Sequence, residues 1–390
     1  MVVEHMRADT AEVAEPPLRP RRRWRWVAVP LGIYAASRVV QLALIAWLLP
    51  AGPATIRSRL LSWDAGWFIR VAQDGYEHGY TYDANGTLVG NGLAFFPMYP
   101  LLIRLVHEVT RLDYGTAALT LSWAAAAVAA VLVYALGRRL YDTRVATALT
   151  VLFCAQPMSV VLSMGYSEGL FVALVGGTLL AAHRRSWLVA GALGLAAALT
   201  RPTGAALAIG LGIAAAIAVR DRRPDRWRAV AAAVVALLGV PAYLTWVGQR
   251  VGTWHAWFDI QTAGWGSTFD FGLGALRFVQ DALRTGDGWI QVSVALILIA
   301  AVVTAVAAVT RRVWPPLLGY GLIALFLVLG QNGYYHSKPR LLVPVLIVLV
   351  PPALALARAH TRTAALVLTG YALFGLWYGA YLITVWRFAI

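Results

Sequence analysis

"RDRRPDRWRAVAAAVVALLGVPAYLTWVG", residues 220–248, sets an arginine-rich connector (220–228) directly against a run without a single charge (229–248). A run of about 20 apolar residues matches one helical crossing of a hydrocarbon layer about 30 Å thick. The arginines beside it mark the cytoplasmic face, because basic connectors are retained on that side. The same pairing recurs along the chain. Apolar runs occur near 26–49, 115–136, 145–163, 168–182, 187–203, 205–219, 289–310, 314–330, 341–357 and 364–386. With 229–248 they predict a polytopic all-α membrane bundle of about 11 transmembrane helices.

Composition agrees. Of 390 residues, 60% are hydrophobic and 13% charged, against about 25% charged in an ordinary soluble domain. A transmembrane barrel would instead show short alternating segments. The formal charge of +15 comes from arginines placed between the apolar runs, so it reports topology and not nucleic-acid binding. Cys154 is the single cysteine and lies within an apolar run, so an intrachain disulfide is excluded. Residues 1–25 are polar, Pro-containing and basic and read as a disordered cytoplasmic tail ahead of one membrane domain, 26–390.

The connectors "GRRLYDTR", "HRRS", "RDRRPDRWR", "RR" and "RAHTR" all fall on the side of the basic N-terminal segment, which places the N-terminus in the cytoplasm. The remaining connectors are then extracytoplasmic: 50–114, "MGYSEG", "LTRPTG", 249–288 and "GQNGYYHSKPR". Nearly every residue that departs from ordinary membrane packing lies in them, so one outer pocket could gather them all.

The stretch "SRLLSWDAGWFIRVAQDGY", 58–76, reads as one amphipathic helix with Asp64 on its apolar face, between Leu60, Phe68 and Val71. A second surface helix is expected from "GLAFFPMYPLLIRLV", with a polar hairpin between the two. Burying a carboxylate without a partner is costly, so Asp64 is either paired, with Arg57 or Arg201 as the available cations, or a functional acid. Asp74 and Asp83 read as solvated. Glu168 sits where a helix would start, suiting either the helix dipole or substrate contact. Arg201, on the outer side before Pro202, calls for an anionic partner: Asp64, Glu168 or a phosphate. Lys338 is the only lysine in the chain, and with Arg340 and His336 it forms a cationic cluster suited to a phosphate, or equally to lipid headgroups. Trp254, Trp257, Phe258, Trp265 and Phe269 fit an interfacial belt or a face that stacks on sugars and isoprenoids. No glycine-rich phosphate loop or metal-ligand spacing occurs, so no cofactor is expected and a divalent metal has no support.

A carboxylate in apolar surroundings with cations nearby suits group transfer from a lipid phosphate outside the cytoplasm. The motifs "SWDAGWFIRVAQDGY", "AFFPMYPLL", "QPMSVVLSMGYSEGLF" and "ALTRPTG", in this order, resemble the bacterial branch of the PIG-V family, with "YYHSKPRLLVP" a later match. The resemblance implies a GT-C glycosyltransferase of the inner membrane that takes mannose from a polyprenyl-phosphate donor and gives it to an extracytoplasmic glycolipid, glycan or protein acceptor. It makes Asp64 the catalytic base. Lys338, Arg340, His336 and Arg201 would hold the donor phosphate, and Glu168, Tyr166, Trp63 and Trp67 would support the site. Two rivals stand beside it: a flippase for lipid-linked sugars, and a GT-C transferase of another sugar such as arabinose.

Overall fold

The computed structural model describes residues 25–389. The expected tail, 1–25, lies outside the described residues except for Arg25, which opens the first helix, Arg25–Leu48. The described chain is helical but for two small two-stranded ribbons.

Each apolar run is wholly or partly helical, and of the eleven expected spans only some are long enough to cross by length and composition. Six helices are long and apolar enough to span: Trp26–Leu48, Tyr114–Leu140, Pro202–Arg220, Arg226–Val251, Trp289–Thr310 and Thr361–Thr384. A seventh span results if Tyr335–Leu341 and Leu346–Arg358, bent by 78°, count as one. Thr143–Ala155, Glu168–His183, Trp187–Ala198 and Pro315–Gly330 are shorter. Sixteen residues reach only about 24 Å, less than the hydrocarbon thickness. Prolines shorten two of these runs. Gln156, before Pro157, and Arg201, before Pro202, are both extended (ψ 155° and 150°), because a proline disfavours helical geometry in the residue ahead of it.

Small residues let the helices approach closely. A Cβ on Gly194 would stand 2.7 Å from Ala236 Cβ, and one on Gly169 would stand 3.0 Å from Ala126 Cβ. Such contacts drive helix association where lipid is as apolar as the side chains. Phe153, Phe171, Tyr320 and Tyr378 are fully buried at the centre, whereas Leu188 and Leu366 stand outward, as a lipid-facing surface requires. The chain is a multi-pass membrane protein.

Arg38, in the middle of the first helix, escaped the sequence reading. It is 4% exposed and donates to the Cys154 carbonyl at 2.6 Å, the Ser159 carbonyl at 2.8 Å and Ser163 Oγ at 2.9 Å. The Cys154 carbonyl lies in the last turn of the Thr143–Ala155 helix, where intrahelical donors run out, and Ser159 opens the short 3-10 helix Ser159–Leu162. Arg38→Leu takes the donor from the Cys154 carbonyl, and we expect a loss of about 1–3 kcal/mol for that orphaned buried group. Thermal unfolding of the purified variant in detergent checks this.

The first outer loop corrects an expectation. Residues 58–76 form two helices, Ile56–Leu60 and Asp64–Asp74, broken at Leu61–Trp63. The break is fixed from outside: Gly165 N donates to the Leu60 carbonyl at 3.0 Å, and the Tyr166 hydroxyl bonds the Ser62 carbonyl at 3.4 Å. Trp63 takes a left-handed φ of 54° there, a conformation costing about 1–3 kcal/mol in a non-glycine residue. A hairpin follows, Thr81–Tyr82 with Leu88–Val89, its turn held by Asp83 Oδ1 accepting from the Asn85 and Thr87 amides, before the Met98–Thr110 helix. Asp83 thus closes a turn.

Residues 249–288 hold two helices, Ala256–Trp265 and Leu273–Arg284, and a strand, Thr268–Phe269, that pairs antiparallel with Gln331–Asn332. This segment is joined to the first loop. Arg250 donates to the Tyr76 and Glu77 carbonyls at 2.8 and 2.6 Å and Gln261 to the Ala94 carbonyl at 3.1 Å, while Tyr243, in the spanning helix ahead of the segment, donates to the Phe95 carbonyl at 2.8 Å. Gly90 and Gly264 touch backbone to backbone; a Cβ on Gly90 would lie 2.6 Å from Gly264 Cα. Tyr80 bonds Asp259, which also pairs with His255 at 2.5 Å. These two donors, Tyr80 foremost, hold the Asp259 carboxyl below the usual range. The contact of Asp259 with Tyr80 and His255 therefore contributes stability at neutral pH that is lost as the pH falls through that carboxyl's titration.

Candidate active site

All five connectors expected on the outer side converge on one cavity of about 360 Å³. The first loop contributes Asp64, Phe68 and Ala94–Phe96. Ser167 and Thr200–Thr203 come from the two short turns, Trp257, Phe258, Gln261, Trp265 and Ser267–Phe269 from the 249–288 segment, and Gln331–Tyr334, Ser337, Lys338 and Arg340 from the last connector. The walls are mainly aromatic and aliphatic with a few charged groups, the composition of a ligand pocket.

The break in the first loop decides how Asp64 is presented. It opens the Asp64–Asp74 helix, so its carboxylate sits in the first turn and not midway along an apolar face. There the helix dipole favours negative charge. The Asp64 amide donates to Tyr166 Oη at 3.3 Å. Its Oδ2 accepts from Arg340 Nη1 at 2.7 Å, and among the described residues no donor reaches Oδ1. Asp64 is 21% exposed and Arg340 11%, so the pair is shielded but open on the cavity side. Neither Arg57 nor Arg201 pairs with it: Arg57 meets Asp113 at 2.5 Å on the surface, and Arg201 meets Glu168 at 2.7 Å.

Glu168 lies deeper, 1% exposed, between two guanidiniums. Arg201 Nη1 is 2.7 Å and Arg340 Nε 3.6 Å from its Oε1. Neither N–H is aimed squarely at a carboxylate oxygen, so the Arg340 Nε and both Glu168 oxygens lack a directed hydrogen bond. The interaction is one of charge. Arg201 also donates to Ser167 Oγ at 3.1 Å, and the Arg340 guanidinium lies over the Tyr166 ring at 5.2 Å. Two arginines and two carboxylates thus form a continuous row, Asp64–Arg340–Glu168–Arg201, with Asp64 and both arginines lining the cavity.

The other expected site residues divide. Lys338 lines the cavity, but it is 2% exposed and its ammonium donates to the Val328 carbonyl at 2.7 Å and to the Gln331 carbonyl. It therefore caps the end of the Pro315–Gly330 helix, where cations complement the dipole, and keeps one N–H uncommitted. His336 does not line the cavity; it packs beside Trp386 and Phe388. Trp67 stands one layer behind, 6.0 Å from Phe95 and 5.8 Å from Trp265, with Arg70 over its outer face. Trp63 packs against the main core at the break. Gln261, Gln331 and Asn332, which the sequence reading passed over, supply neutral polar groups to the walls. Nothing in their local sequence marks them; only the pairing of Thr268–Phe269 with Gln331–Asn332 brings them in.

A family model described as Mannosyltransferase (PIG-V) matches residues 53–200, under half of the chain. The GPI alpha-1,6-mannosyltransferase 2 of Mus musculus is 33% identical over 142 residues, covering 33% of this chain and 27% of that protein. Its Homo sapiens counterpart is 34% identical over 125 residues, covering 30% and 23%. The matched stretch is thus only about a quarter of the length of these curated relatives. Among solved structures, ArnT from Cupriavidus metallidurans in the apo state aligns at TM-score 0.51 and 17% identity over 88% of this chain and 61% of that one. The apo Archaeoglobus fulgidus oligosaccharyltransferase aligns at TM-score 0.51 and 14% identity over 94% and 57%. Residues 53–200, which carry Asp64 and Glu168, are similar to the PIG-V mannosyltransferases, and the chain shares the membrane fold of ArnT and the archaeal oligosaccharyltransferase.

Proposed function

We propose that this protein is an inverting glycosyltransferase that moves mannose from a polyprenyl-phosphate donor to an acceptor hydroxyl on the outer side of the cytoplasmic membrane. The observation that carries the reading is Asp64: a carboxylate with one oxygen held by Arg340 and the other facing an aromatic cavity, inside the segment related to mannosyltransferases. The Asp64 carboxylate takes the acceptor proton as the hydroxyl oxygen attacks the anomeric carbon. The bond from that carbon to the phosphate oxygen breaks, and the phosphate leaves with the electron pair. Arg340, Arg201 and the free N–H of Lys338 line the same cavity as Asp64 and are the donors we assign to the developing charge. One displacement inverts the anomeric centre.

A lipid-phosphate donor is supported by the fold, since ArnT has also been solved bound to undecaprenyl phosphate, at TM-score 0.50 to this chain. The aromatic walls suit a sugar and the first isoprene units. A flippase would need free polar groups deep within its spans. Arg38 and Gln41 do lie there; Arg38 is committed to the Cys154 and Ser159 carbonyls and to Ser163 Oγ, and Gln41 donates to the Leu376 carbonyl at 2.8 Å while its Oε1 has no partner among the described residues. The N-terminal side and the arginine connectors face the cytoplasm in this reading, and the cavity faces outward.

The test supplies the purified protein in lipid with polyprenyl-phosphate mannose labelled in the sugar, together with a membrane-lipid extract. We expect label in a new product of inverted configuration. The arabinose and glucose donors serve as comparison; transfer from one of them instead overturns the choice of sugar, and transfer from none overturns the transferase reading.

A further inference from the structure

A second cavity lies beside the break in the first loop, lined by Pro50, Arg59, Ser62, Trp63, Thr384, Val385, Trp386 and Arg387. It sits beside the ends of the first helix, at Leu48, and of the last, at Thr384, both long and apolar enough to cross a membrane, and in the topology read from the arginine connectors this end is the outer surface. Its lining has two guanidiniums and no carboxylate. Among the described residues, neither Arg59 nor Arg387 forms an ion pair, although Arg57, two positions from Arg59, has Asp113. The Arg59 Nε and the Trp386 Nε1 are both buried, and neither has a hydrogen-bond partner.

Two like charges sharing a recess repel each other unless an anion stands between them. Buried N–H groups without acceptors ask for one too. An arginine fork, an indole N–H and the Ser62 hydroxyl are all hydrogen-bond donors, and phosphate oxygens accept several such bonds at once. A carboxylate would satisfy one fork; a phosphate ester has oxygens for both arginines and for the indole.

We propose that this cavity is a binding site for a phosphate ester carried by a membrane-lipid headgroup, separate from the candidate active site. The adjoining residue on the far side of Trp63 is Asp64, so the two sites share the Ser62–Asp64 backbone. The proposal does not depend on the transferase reading, and its test involves no transfer.

The full chain in a neutral detergent is titrated with short-chain phosphatidylglycerol, with short-chain phosphatidylcholine and with inorganic phosphate, and binding is followed calorimetrically. Wild type, Arg59→Gln, Arg387→Gln and, as a control for non-specific charge, the exposed Arg284→Gln are compared. Phosphatidylglycerol should bind wild type and Arg284→Gln alike and bind Arg59→Gln and Arg387→Gln at least tenfold more weakly. Their melting temperatures should stay unchanged, since neither arginine supports a protein partner. Competition by inorganic phosphate would make the phosphate alone sufficient; retention of lipid binding without such competition would show that the acyl or glycerol portion contributes. Equal binding by all four proteins, or a loss as large in Arg284→Gln, overturns the proposal.

Discussion

Asp64→Asn lowers sugar transfer by about 10²–10⁴-fold, the usual contribution of a positioned general base. Asparagine keeps the size of aspartate and an oxygen for Arg340 Nη1, so the helix start and the cavity wall should remain in place. The expected result is a kcat loss with donor binding retained, measured as the initial rate of labelled transfer beside direct binding of the lipid donor. Because only the proton-accepting oxygen is removed, KM should change little. Equal transfer by variant and wild type would remove Asp64 from the mechanism. Loss of donor binding together with rate would make Asp64 a binding residue instead.

Arg340→Gln should have the second-largest effect, and on two quantities at once. Arg340 is shared between Asp64 at 2.7 Å and Glu168 at 3.6 Å, so removing it leaves Asp64 without an ion-pair partner among the described residues and Glu168 with Arg201 alone. Breaking a buried pair by deleting one partner costs about 3–5 kcal/mol. The lower end applies here, because Asp64 retains some solvent. Transfer should also fall, since a cation at the cavity wall is lost. The double variant Arg340→Gln with Asp64→Asn separates the two effects: it should regain much of the lost thermal stability and none of the transfer. A coupling energy between the two positions below about 0.5 kcal/mol would show that they act independently.

The sequence carried the alternation of arginine connectors with apolar runs far enough to group five distant segments on one side of the bundle, and the cavity is built from those five. It also singled out Asp64, Glu168, Arg201 and Arg340. Glu168 was among the partners it offered Arg201, and the two do pair, but the partner of Asp64 was not legible. Arg57 and Arg201 were the obvious partners for Asp64, yet Arg340, 276 positions away, takes that place, because a partner this distant is set by tertiary packing alone. The break before Asp64 was hidden for a similar reason. No glycine, asparagine or proline marks it; Trp63 is held at positive φ by bonds from the 165–166 turn. Lys338 has a second role that its sequence did not show: its isolation among arginines suggested a phosphate ligand, and its ammonium also donates to the Val328 and Gln331 carbonyls at the end of the Pro315–Gly330 helix. Four of the expected spans are shorter helices; apolar character says where a segment is buried, whereas prolines 157 and 202 decide how long two of them stay helical.

The backbone contact of Gly90 with Gly264, together with the bonds from Tyr243, Arg250 and Gln261, makes the first loop and the 249–288 segment one mechanical piece over the cavity. Amide protons in the two segments should accordingly exchange with solvent in a single cooperative opening. Grafting either loop from a relative would require grafting both, so acceptor preference, if it resides in this roof, would pass between homologues as a matched pair of segments and never as one loop alone.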